Sequence, residues 1–111
     1  MAIPHANPGD LIDIRPLGEA LKDARTTTLI KTDSLEVIRL ILPAGKEIAR
    51  HAVPGEITVQ GLEGRISFRV RGSEFELSAG KLIYLHGDDE HSLQALEDAS
   101  VLLTILLKRQ P

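Results

Sequence analysis

Residues 65–77 constrain the fold more than any other stretch. Ile66, Phe68 and Val70 fall on one side of an extended chain, and Arg65, Ser67, Arg69 and Arg71 on the other. A period of two is the signature of a strand with one dry and one wet face. Arg71-Gly72-Ser73 then turns the chain into Glu74-Phe75-Glu76-Leu77, which repeats the alternation. A helix cannot satisfy this pattern, so a hairpin is the first element placed.

The rest of the chain reads in the same idiom. Residues 26–31 are rich in β-branched side chains, residues 32–34 are turn chemistry, and residues 35–42 form a second strand that Pro43-Ala44-Gly45 ends. Residues 57–60 alternate, and Gly64 permits the turn into residue 65. Further strands are expected over 81–85, 91–96 and 100–108, with Glu97-Asp98-Ala99 joining the last two. Residues 11–14 read as a short edge strand. Leu17, Ala20, Leu21 and Ala24 recur at helical spacing over 16–24, against which Gly18 argues. Eight or nine short strands with regular turn signals, and no βα alternation, make an all-β sandwich or barrel.

With 111 residues the chain builds one core, expected over 11–111 after a flexible lead-in over 1–10 that carries two prolines and a glycine. A net charge of -3 and 3% aromatic residues give nucleic acid nothing to hold. The absence of cysteine excludes disulfides and thiolate metal sites. No apolar stretch approaches the length of a membrane span, and the first residues lack the pattern of a signal peptide, so a cytoplasmic protein is expected.

From Gly45 onward the spacing resembles the two-part signature of the cupin superfamily. The first part runs Gly, five residues, His, one residue, His, three or four residues, Glu, six residues, Gly. Here Gly45 and His51 fit, Val53 holds the second His position, Ile57 the Glu position, and Gly64 closes the motif. The second part runs Gly, five residues, Pro, one residue, Gly, two residues, His, three residues, Asn. Gly80 and His91 fit, while His86, Asp88 and Ala95 stand at the Pro, Gly and Asn positions. The resemblance implies a cupin-type double-stranded β-helix, an RmlC-like jelly-roll barrel.

It also implies a four-donor metal set of which only His51 and His91 remain. Val53 and Ile57 have no lone pairs, and two imidazoles hold a catalytic ion poorly. No cofactor is therefore expected. The alternative is a divalent zinc, nickel, iron or manganese ion on His51, His91 and His86. Glu56 is one position from the expected carboxylate, but strand parity turns it outward unless a bulge intervenes.

Alternation lines the pocket with Val53, Ile57, Val59, Phe68 and Tyr84, beside His51 and His91. Such an interior suits a small, largely apolar ligand, or it is filled by its own side chains. The two histidines can act as acid and base or orient a ligand, and without a carboxylate partner they also read as backbone-bonded structural residues. His5 lies in the lead-in. Ser73 and Ser92 lack any nucleophile elbow. Arg65, Arg69 and Arg71 read as a solvated stripe facing Glu74 and Glu76.

A small-molecule-binding or sensing barrel is the function expected. A metal-dependent isomerase or dioxygenase-like cupin is the alternative. Metal-free sugar-nucleotide chemistry, found in epimerases of this fold, is disfavoured because His51 lacks an acidic partner. Strands 35–42 and 100–108 are apolar on both faces, and one barrel buries only one of them. A homodimer packed sheet on sheet is expected, with residues 11–14 adding to the partner's edge.

Overall fold

The computed structural model describes residues 5–107. Among the described residues nine strands and one 3₁₀ helix follow in order: the helix Gly18–Asp23, then β1 Thr27–Lys31, β2 Leu35–Leu42, β3 Glu47–His51, β4 Ile57–Glu63, β5 Arg65–Val70, β6 Ser73–Ser78, β7 Leu82–Leu85, β8 His91–Ala95 and β9 Ala99–Leu106. They form a five-stranded sheet, β1-β2-β9-β4-β7, and a four-stranded sheet, β3-β8-β5-β6. All pairings are antiparallel. The all-β jelly roll expected from the sequence is the fold observed.

Alternation decides what each strand sends inward. Ile66, Phe68 and Val70 of β5 pack with Leu93 and Ala95 of β8, Ile57 and Val59 of β4, Leu42 of β2 and Val101 of β9. Phe68 and Ile66 are completely buried. The β5–β6 hairpin closes through Arg71 and Gly72, at φ 53° and 75°, the positive values a two-residue turn between twisted strands requires.

Three local expectations are corrected. Residues 11–14 form no strand, and Leu11 is 99% exposed; so short a segment, with few apolar side chains to bury, does not pair by itself. The turn over 16–24 is a 3₁₀ helix beginning at Gly18. An additional strand, β3, lies where Ile48 is the one large apolar side chain. The last strand ends at Leu106, and residue 108 lies outside the described residues, as do residues 1–4 of the lead-in. From Ala6 the lead-in is bonded to β1, its N–H donating to the Leu29 carbonyl at 2.9 Å.

The outer face of the five-stranded sheet is partly covered. Arg39, set in the apolar outer row of β2, is buried and paired with Glu63 of β4 at 3.0 Å. Residues 15–18 lie over this pair. Beyond it Leu82, Tyr84 and Leu106 stay exposed at 61%, 56% and 49%.

Candidate functional site

His51 and His91 are brought together, and a bulge does it. Along β3 the partners run Ile48↔Leu93 and then His51↔His91, so three steps on β3 face two on β8. The extra residue reverses the parity of the strand end and places His51 on the same side of the sheet as Ile48, Leu93 and His91. Without it His51 would turn away from the core. The ring centroids lie 4.3 Å apart at an angle of 56°. His91 is buried and stacks nearly parallel on Phe68, centroids 5.6 Å apart, while His51 is exposed. The pair thus spans the boundary between core and solvent.

Both rings are oriented by the main chain. His51 Nδ1 is 2.9 Å from the Ala49 carbonyl and His91 Nδ1 is 3.0 Å from the Asp89 carbonyl. A carbonyl oxygen can only accept, so each Nδ1 carries the hydrogen and donates. In the neutral rings this leaves the lone pair on Nε2. Burial pushes the His91 pKa down, the bond to the Asp89 carbonyl opposes this, and nearby His51 lowers it again; the result is below the ordinary 6.5. Near neutrality His91 is therefore an acceptor at Nε2.

The loop between β7 and β8 backs the site. Gly87 passes so close to the Pro54 carbonyl that a Cβ there would stand 2.5 Å from its oxygen. Asp88 N–H donates to the Val53 carbonyl at 2.8 Å. Asp89 accepts from the His86 amide at 2.9 Å and pairs with Arg71 at 3.0 Å. Arg71 thus leaves the stripe expected of it, whereas Arg65 pairs with Glu76 and Glu97, and Arg69 with Glu74.

The third metal donor is not assembled. His86 is exposed in this loop, its Nδ1 3.3 Å from the Gly87 carbonyl, apart from the two paired rings. Glu56 obeys strand parity, turning outward to accept from the Tyr84 hydroxyl. Among the described residues no group of three or more His, Asp or Glu side chains could hold a metal ion. With Val53 and Ile57 at two positions of the motif, the donor set does not fit a catalytic metal.

The lining expected from alternation divides in three. Ile57, Val59 and Phe68 face inward and are packed into the core at 3%, 3% and 0% exposure. Val53 is half-buried at its edge. Tyr84 is a correction: Ile83 and Leu85 pair with the inward Val59 and Ile57, so Tyr84, opposite Thr58, stands on the outer face. A cleft of about 530 Å³ borders His91, with Arg50, Arg69, Arg71, Ser73 and Ser92 among its walls. A neighbouring cleft of about 540 Å³ runs over the outer face of the four-stranded sheet. Sequence reasoning missed Arg50, whose position in the bulge beside His51 had no signal in the residue pattern.

No family model matches the chain, and no curated protein matches it. Solved structures do. A conserved protein of unknown function from Streptococcus pyogenes, SPY1581, superposes with a TM-score of 0.77 at 22% identity over 99% of this chain and 97% of its own. A cupin superfamily protein from Desulfitobacterium hafniense gives 0.76 at 16% identity, covering 93% of this chain and all of that one (100%). An RmlC-like cupin from Shewanella frigidimarina gives 0.71 at 19% identity over 77% of each. At these identities the likeness establishes the fold.

Proposed function

Starting from a chain with the cupin jelly-roll fold, we propose that it is a small-molecule-binding or sensing barrel in which the four-donor metal set implied by the motif resemblance has degenerated into a pair of histidines. The observation carrying this reading is the bulge-built His51–His91 pair, each ring fixed through Nδ1 and each with Nε2 left to a ligand. A ligand suited to it presents a hydroxyl or amine to neutral imidazole nitrogen and rests an apolar body near Val53. Fixing Nδ1 on a carbonyl is also how proteins hold metal-binding histidines, which favours a metal-dependent enzyme as a second reading. Two donors against the usual three or more weigh against it.

Native mass spectrometry of gently purified protein tests the proposal. A retained small molecule, lost in His51→Ala and unaffected by chelator, is the expected result. A stoichiometric metal in its place would overturn it.

We further infer that the protein acts as a homodimer in the cytoplasm. Leu82, Tyr84 and Leu106 are exposed on the outer face of the five-stranded sheet, with Thr58, Gln60, Leu102 and Thr104 beside them in register. None of these residues is charged; Glu56, which accepts from the Tyr84 hydroxyl, marks the edge of the patch, and a sheet face of this kind is suited to packing on its own copy. Among the described residues no helix is long and apolar enough to cross a membrane.

A further inference from the structure

Glu63 occupies an unusual position. A bulge in β4, between the pairs Gly61↔Val101 and Glu63↔Ser100, delivers its side chain to the outer face of the five-stranded sheet. There its carboxylate accepts from Ser100 Oγ at 2.7 Å and Arg39 Nη2 at 3.0 Å. It also accepts from the Leu17 amide at 2.9 and 3.1 Å and the Gly18 amide at 3.2 Å. Arg39 Nη2 in turn donates to the Arg15 carbonyl at 2.7 Å. The side chains of the pair are only 9% and 12% exposed.

Every bond these residues make to the N-terminal segment goes to its main chain. One carbonyl and two successive amides are held, and no side chain of the segment joins in. The segment is otherwise poorly anchored. Leu21 is its one buried residue, and none of its residues belongs to the core cluster. Its helix is a single short 3₁₀ piece, a weak structure without packing. Gly18 adopts φ 61°, and a Cβ added there would meet no atom within 4 Å, so the turn that presents the two amides depends on glycine's freedom and not on space. Few apolar contacts and one polar anchor are the marks of a region that opens locally.

We propose that residues 11–24 form a latch that opens as a unit while the two-sheet barrel stays folded, with Glu63 as the side chain that holds it shut. Opening brings water to the Arg39–Glu63 pair and to Ser100, and exposes this charged spot beside Leu102 and Thr104. The unpartnered Arg39 Nε, buried in the closed state, gains hydration on opening, which lowers the cost of release.

Amide hydrogen exchange on the full chain tests this. Exchange at Leu17, Gly18, Ala20 and Ala24 should outpace that of β9 and rise together, tenfold or more, in Glu63→Gln. Gly18→Ala perturbs the latch from the strap side and leaves the barrel's own contacts untouched. It should raise the same four amides several-fold with β9 amides unchanged. Equal exchange rates for the segment and β9 in the wild type, or four latch amides unmoved by both substitutions, would overturn the proposal.

Discussion

Replacing His91 by alanine separates what the imidazole does for the fold from what it offers a ligand. The ring is buried, lies nearly parallel to Phe68 with centroids 5.6 Å apart, and donates from Nδ1 to the Asp89 carbonyl. The aromatic pair is worth about 0.5–1.5 kcal/mol and the hydrogen bond a similar amount. With the cavity opened over Phe68, the loss is about 2–4 kcal/mol, out of a total of about 5–15 for a domain of this kind. That corresponds to a fall in melting temperature of roughly 10–20 °C. His91→Phe keeps an aromatic ring for the stack, in a somewhat larger side chain, and forfeits the bond, so it should lose about 1 kcal/mol.

Protonation supplies a second signature. Because folding lowers the His91 pKa, the unfolded chain takes up the proton first as the pH falls. The stabilisation is complete above 6.5, the ordinary value, and is lost as the pH drops from there through the lower folded value. Urea denaturation at about pH 8 and about pH 5.5 should show a loss in the wild type that is flattened in His91→Phe. A His91→Ala protein within about 1 kcal/mol of wild type, or an undiminished pH slope in His91→Phe, would show that the ring does not stabilise the barrel in this way.

Two other expectations follow from the outer sheet face. Burial raises the Glu63 carboxyl pKa, but the bonds from Ser100, Leu17, Gly18 and Arg39 outweigh it and hold it below the ordinary 4.5. The latch is thus intact above that value and weakens as the pH falls through the lower folded value. The amide signals of Leu17 and Gly18 should titrate with a midpoint under 4.5, and a midpoint above it contradicts the bonding scheme. Leu106→Glu places a second carboxylate, beside Glu56, within the apolar patch; sedimentation should find the wild type dimeric at micromolar concentration and the variant monomeric, and a monomeric wild type removes the dimer.

What the residues revealed in advance depended on whether local pattern or distant contact decides the outcome. The β5–β6 hairpin was legible because it alternates over its length, and β2 because apolar side chains line both its faces around Glu36 and Arg39. Strand β3 was not. Glu47–His51 has a single large apolar residue, and its pairing with β8 and the bulge holds it in place. The motif spacing pointed to His51 and His91, yet spacing alone could not say that His86 stays in its loop or that Tyr84 faces outward. The latch left one trace: Arg39 stands alone in an apolar row, and a buried guanidinium needs a partner. Finding Glu63 required the β4 bulge, which residue types do not announce.

On the proposed reading, His51 and His91 bring two ring nitrogens together with no third ligand to fix an ion. Isothermal titration of metal-free protein with zinc and nickel measures this directly. Weak binding, with no stoichiometric micromolar site and no dependence on His91, is the expected result. A tight one-to-one site abolished by His51→Ala and His91→Phe would contradict it.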